Sequence, residues 1–126
     1  MKVGGNNTTS NAGNRGREAE ALAARYLERR GLRVVQRNFR IRGGEIDLIC
    51  QDGRILVFVE VRLRGRNDYG GAAASITAAK RSRIILAARW YLASKPDVDC
   101  RFDCVLLTEL DERTVEWLPG AFSADR

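Results

Sequence analysis

The chain has 126 residues, with 22 Lys and Arg against 16 Asp and Glu, a formal charge of +6 and no histidine. That length suits one domain with its own core, and the positive balance favours a polyanionic partner without speaking to the fold. The missing imidazole excludes a Ser-His-Asp triad, a histidine base and every histidine-containing zinc site, which leaves carboxylates, Lys, Arg, Tyr and Cys for chemistry.

Residues 1–14 are rich in Gly, Asn, Thr and Ser and read as a disordered tail. Over 17–30 the spacing of Ala19, Leu22, Ala23, Tyr26 and Leu27 predicts an amphipathic helix, and Gly31 is its stop signal. A strand is predicted over 32–40. Two strand-like apolar runs follow, 44–49 and 57–62, and Asp52-Gly53 between them is a hairpin signal. The stretch over 62–71 is basic and glycine-rich with Tyr69 in it, and is expected to contact phosphates and stack on a base. A long helix is predicted over 72–94, its apolar stripe running through Ile76, Ile84, Ala87, Ala88 and Tyr91. Two more strands, over 101–108 and 114–118, flank an acidic turn at Asp111-Glu112. The chain from Gly120 onward looks like a tail. The expected domain spans 15–122, with 123–126 left as tail. This order predicts one α/β domain, a mixed five-stranded sheet flanked by helices.

No apolar run approaches the about 20 residues that span a bilayer, and the N-terminus has no apolar leader. The expectation is therefore a cytoplasmic protein, with no membrane partner. Cys50, Cys100 and Cys104 read as reduced thiols acting as small core residues.

Three acids lie inside the two hairpin runs: Glu45, Asp47 and Glu60. Carboxylates in a sheet interior are costly unless compensated, and a divalent cation is the obvious compensation. With Asp52-Gly53 as a two-residue turn, Gln51 faces Arg54, Asp47 faces Phe58 and Glu45 faces Glu60. Glu45, Asp47, Glu60 and Arg62 then share one face, with Asp47 and Glu60 as diagonal neighbours about 7–8 Å apart. The second run is apolar on both faces, as in a central, doubly covered strand. Lys80 falls between Ile76 and Ile84 on the predicted stripe, where a lysine either snorkels to the rim or reaches into a site. Arg81 and Arg83 lie on other helix faces as an exposed basic surface.

These residues carry a resemblance over about 16–122: Tyr26-Leu27 with Gly31, Arg37-Asn38, Gly44-Glu45-Ile46-Asp47-Leu48-Ile49, Val57-Phe58-Val59-Glu60-Val61, Arg64, Lys80 and Arg101-Phe102-Asp103. The chain resembles the YraN-like bacterial proteins of the restriction-endonuclease-like (PD-(D/E)xK) superfamily, and is similar in layout to archaeal Holliday-junction resolvases. The resemblance implies a restriction-endonuclease-like three-layer fold and a Mg2+- or Mn2+-dependent endonuclease. DNA, branched or structured, is the implied partner, and a homodimer is an assembly known among related resolvases. It implies Asp47 and Glu60 as metal ligands, joined by Glu20, with Glu18 as the fallback if that helix aligns differently. The basic loop and the basic helix face make Arg64, Arg66, Tyr69, Arg81 and Arg83 the expected nucleic-acid contacts.

The family's Glu-Val-Lys reads Glu60-Val61-Arg62 in this chain. Arginine can stabilise an anion but stays protonated and cannot act as a base. Lys80 is the candidate to supply the missing ammonium beside Arg62. Two alternatives stand beside catalysis: a nucleic-acid-binding protein of nuclease fold that has lost or weakened it, and a protein-interaction module.

Overall fold

Leu27 and Leu32 close the first helix over a left-handed glycine. Gly31 has φ 98, its N–H donates to Glu28 O at 3.1 Å, and Leu32 N–H donates to Leu27 O at 3.1 Å. This double bond pattern, with both leucines buried in one cluster, stops the helix as glycine at this position commonly does. The computed structural model describes residues 7–64, 76–95 and 97–124. Its elements are α1 (Asn7–Arg29), β1 (Arg33–Ile41), β2 (Gly44–Asp52), β3 (Ile55–Leu63), α2 (Ala78–Leu92), β4 (Cys100–Leu107) and β5 (Glu116–Phe122), with a short 3-10 turn at Glu112–Thr114.

The five strands form one mixed sheet in chain order. β1, β2 and β3 make an antiparallel meander, β3 and β4 run parallel with α2 as the crossover, and β5 returns antiparallel to β4. β3 is central, as its two apolar faces require. Val57 and Val59 pack with Leu48, Cys50 and Ala19, Ala23 and Leu27 of α1. Leu56 and Phe58 pack with Ile49 and Ile84, Ala87 and Ala88 of α2. The helices thus cover opposite faces. Among the described residues no helix is long and apolar enough to cross a membrane.

Several expectations need correction. The hairpin loop is Gly53-Arg54, with Asp52 paired to Ile55. Gly53 has φ 60 and so takes the first central position of the turn, where primed hairpin turns call for glycine. Sliding the loop by one residue shifts each facing partner by two, so the faces survive while the partners change. The first helix begins at Asn7, well before 17, so residues 7–14 are helical. A nucleated helix needs only backbone bonding to propagate, and Asn14 Oδ1 also accepts from Arg17 Nη2 at 2.8 Å one turn on.

α2 begins at Ala78 because Thr77 caps it, its Oγ1 accepting from Lys80 N at 3.1 Å. Ile76 therefore precedes the helix and is buried with Cys104 and Leu106. The rest of the predicted helix start, 72–75, lies outside the described residues. Cys50 and Cys104 are buried, but Cys100 is exposed at the start of β4.

The segment from Gly120 is no tail: β5 extends to Phe122, whose ring stacks on Phe102 with centroids 4.9 Å apart. The β4–β5 register shifts between Phe102 and Cys104. Asp103 bridges the irregularity, accepting from Gly120 N at 2.9 Å and from Trp117 Nε1 at 3.0 Å. Arg101 Nε neutralises the same carboxylate at 3.0 Å, while its Nη1 reaches Asp52 Oδ2 at 3.0 Å.

Candidate active site

The β2–β3 ladder ends at Leu48↔Val59. Asp47 and Glu60 are the next residues on each strand, so they face each other directly, not diagonally. In place of a further backbone rung, Asp47 Oδ2 accepts from Val61 N at 2.9 Å. On the other side, Asp47 and Asn38 lie between the pairs Arg37↔Leu48 and Phe39↔Ile46. Asn38 has φ 53, a left-handed conformation that asparagine tolerates better than most residues. Leu48 packs in the α1 cluster and Ile46 in the α2 cluster, although residues two apart on a regular strand share a face. The sheet therefore turns at Asp47, where the acid projects.

Both acids are buried, Asp47 8% and Glu60 3% exposed. Burial raises the Asp47 carboxyl, helped by the charges of Glu20 and Glu45 and opposed by the Val61 N–H. Burial raises Glu60 from 4.5 to about 7, with the charge of Asp47 adding to the rise and Lys80 opposing it. Burial also raises Glu20, which lies within hydrogen-bonding reach of Asn38 and Asp47. Glu20 thus reaches the pair from α1, while Glu18 is exposed on another side of the helix.

Lys80 Nζ is 2.8 Å from Glu60 Oε2. The ammonium opposes the rise of the Glu60 carboxyl both as a hydrogen-bond donor and as a charge. Lys80 sits in the first turn of α2, which has no acidic residue. A cation there opposes the helix dipole, which makes the position costly unless an anion faces it.

Gly44 fixes where that turn lies. A Cβ on Gly44 would stand 2.4 Å from Arg83 O and 3.2 Å from Ala87 N, so only glycine lets the α2 backbone pack against the start of β2. Arg83 Nη2 also lies 3.8 Å from Glu45 Oε1, an exposed pair of small energetic weight. Glu45, Glu60, Lys80, Arg83 and Ile84 line a cleft of about 120 Å³, well above the about 10–15 Å³ that holds one water. A larger apolar cavity lies elsewhere, between Ile76 and β5.

Among the described residues no three acids converge as a ready-made metal cage. The facing Asp47–Glu60 pair still fits a hard divalent cation, because Mg2+ typically keeps several waters and takes one or two carboxylates. Both acids are raised by burial, and the charge of Asp47 raises Glu60 further, a donor set that such an ion relieves.

The other candidates separate. Arg62 is half-buried on β3 beside Leu106, its Nε buried without a hydrogen bond, and among the described residues it forms no ion pair. Arg64 leans toward β5, its Nη2 3.8 Å from Glu116 Oε1. Arg81 Nε donates to Ile76 O at 3.2 Å. Arg66 and Tyr69 lie outside the described residues. Asn38 and Gly44 are the site residues that residue-by-residue chemistry gave no role. A glycine beside an acid run was the available signal for a close backbone approach. The buried thiols Cys50 and Cys104 are both pushed up to about 12, which removes them as nucleophiles.

A family model described as "Uncharacterised protein family UPF0102" matches residues 19–107. The chain is 67% identical over 125 residues to a UPF0102 protein of Dechloromonas aromatica, covering 99% of each chain. It is 52% identical over 109 residues to one from Methylobacillus flagellatus, covering 86% of this chain and 96% of that one. It is 51% identical over 114 residues to one from Nitrosomonas europaea, covering 90% and 97%.

Proposed function

The chain belongs to the UPF0102 family, and we propose that it is a metal-dependent endonuclease that hydrolyses DNA phosphodiesters on a restriction-endonuclease-like version of the three-layer fold. The observation that carries this reading is the buried Asp47–Glu60 pair with Lys80 Nζ 2.8 Å from Glu60 Oε2. Asp47 and Glu60 would hold Mg2+ or Mn2+, with Glu20 supporting Asp47 from α1. The chemistry such an ion supplies when bound is Lewis-acid polarisation of the phosphoryl group and a more acidic water.

The protein's own groups do the rest. The Val61 N–H orients Asp47, so one acid is aimed before any ligand arrives. Lys80 stands at the positive end of α2, and its ammonium and the helix dipole both favour negative charge developing in the cleft. Arg83, exposed beside Glu45, is the nearest described arginine to the cleft and suits a backbone phosphate. Arg62 stays protonated and so contributes fixed charge without proton transfer.

A second reading rests on Arg62 itself: a DNA-binding protein of the same fold in which the acid pair persists without turnover. The test incubates purified protein with linear, nicked and four-way-junction DNA in Mg2+, Mn2+ or EDTA. Cutting that needs the metal and disappears in Asp47→Ala/Glu60→Ala supports hydrolysis. Cutting that persists in the double variant overturns it. Salt-sensitive binding with no cutting in any metal supports the second reading.

A further inference from the structure

We propose that the outer face of α2 is a stacking platform for unpaired DNA bases, built on Trp90 and flanked by Arg42 and Arg89. The proposal rests on the DNA reading above and deepens it by naming the substrate as DNA with a single-stranded segment beside the acid pair.

Among the described residues the exposed large hydrophobics are Trp90, 64% exposed, and Leu86, 39% exposed. They lie four residues apart on α2, with Arg83 three before Leu86, so they form one stripe. That stripe is distinct from the sheet-facing residues Ile84, Ile85, Ala87 and Ala88. Leu86 packs over the β1–β2 turn, where a Cβ on Gly43 would meet its Cδ2 at 3.4 Å. The same turn presents Ile41 and Arg42 to Trp90, and the three line a depression of about 180 Å³. Small-molecule pockets run to about 300–1,000 Å³, so this is an open plane and no enclosed ligand pocket.

Charge chooses the occupant. From Tyr69 to Pro96 the chain has Lys80, Arg81, Arg83, Arg89 and Lys95 and no acidic residue. An exposed indole in a field of one sign suits a ligand with apolar planes on an anionic backbone. In a duplex those planes are already stacked on each other, so Trp90 has little to offer it. In a single strand they are free. Lys80 and Trp90 are ten residues apart on α2, about 15 Å along its axis, which is about four steps of stacked nucleotides at about 3.4 Å each. A strand leaving the acid pair along α2 reaches the indole within a few nucleotides.

The experiment uses the full chain in EDTA, labelled oligo-dT and a blunt duplex of equal length, with anisotropy and intrinsic fluorescence as readouts. The wild type should bind oligo-dT more tightly than duplex, with quenching of its emission that Trp90→Phe alters. Trp90→Ala should weaken oligo-dT binding by about 5- to 150-fold, the range for loss of one stacked base. Duplex binding should hardly change, and Trp90→Phe should recover most of the loss. An unchanged affinity in Trp90→Ala, or an equal loss on both DNAs, overturns the platform. So does sedimentation showing a dimer that Trp90→Ala splits, which assigns the patch to a second copy of the chain. The two readings fail separately. Cutting without a Trp90 effect removes the platform alone, and a Trp90 effect in a protein that cuts nothing removes hydrolysis alone.

Discussion

Lys80 Nζ meets Glu60 Oε2 at 2.8 Å from the first turn of a helix, while Arg62, two residues along the same strand as Glu60, forms no ion pair among the described residues. The ammonium beside the acid pair thus comes from α2 and not from β3.

Lys80→Ala should lower kcat for DNA cleavage by about 10²–10³-fold, the usual cost of removing one preorganised stabiliser of transition-state charge. Arg62→Lys alone should change little. In the Lys80→Ala background it should restore part of the rate, because it returns an ammonium to the strand. Single-turnover cleavage by the four proteins checks this, and equal rates in wild type and Lys80→Ala would remove Lys80 from the mechanism.

The pH dependence follows from burial of the acids. Asp47 and Glu60 are both raised in the folded protein, Glu60 from 4.5 to about 7. Across that window the native state holds more protons than the unfolded chain, so stability without a cation should fall as pH rises through it. A divalent cation competes for the same carboxylates, so the Tm gain from Mg2+ over EDTA should grow across the same window. Melting curves from about pH 5 to about pH 8 test the sign, and Asp47→Asn/Glu60→Gln should flatten both trends.

Gly44→Ala should be worse than Gly43→Ala, although Gly43 has the positive φ of 84. The Gly43 side chain would meet only Leu86 Cδ2 at 3.4 Å, whereas a Gly44 Cβ would stand 2.4 Å from the backbone oxygen of Arg83. Backbone cannot swing aside as a leucine tip can. Overpacking of this kind costs about 1–3 kcal/mol, and here it also pushes Lys80 away from Glu60. Urea denaturation gives the stability order, and cleavage by the folded fraction of Gly44→Ala should drop as well.

Asp103 is fully buried and satisfies Arg101, Trp117 Nε1 and the Gly120 N–H together. Asp103→Ala leaves the Trp117 and Gly120 donors unpaired, while Arg101 keeps Asp52, a loss of about 1–3 kcal/mol for each donor left unsatisfied. Asp103→Asn should cost less, since the amide oxygen can keep one donor. Trp117 Nε1 donates to this carboxylate, and its emission should shift in both variants. An unchanged urea midpoint in Asp103→Ala would refute the structural role.

The hairpin illustrates how local and distant effects divide. Alternation alone puts Asp47 and Glu60 on one face, because side chains repeat every two residues whichever pairing forms. Their partners depend on which two residues turn, and Asp52-Gly53 and Gly53-Arg54 both use the same glycine. Only the folded chain, with Gly53 at φ 60, selects the second and brings the acids face to face. Lys80 divides similarly. Its spacing from Ile84 is readable, and Ile84, Ala87, Ala88 and Tyr91 do face the sheet, but Ile76 lies before the helix and so does not fix where Lys80 points. The β5 extension was hidden because Pro119 and Gly120 look like a strand's end, and a buried carboxylate one strand away supplies the missing bonds.

From sequence alone came the order of elements, the central place of β3, the stop at Gly31 and the chemical types able to act, because periodicity, capping and residue inventory are local properties. Tertiary structure decided the facing of Asp47 and Glu60, the approach of Lys80 through the glycine contact at Gly44, and the raised carboxyls. Those depend on desolvation and on charges from other elements, and both arise only when α1, the sheet and α2 close around the same few side chains.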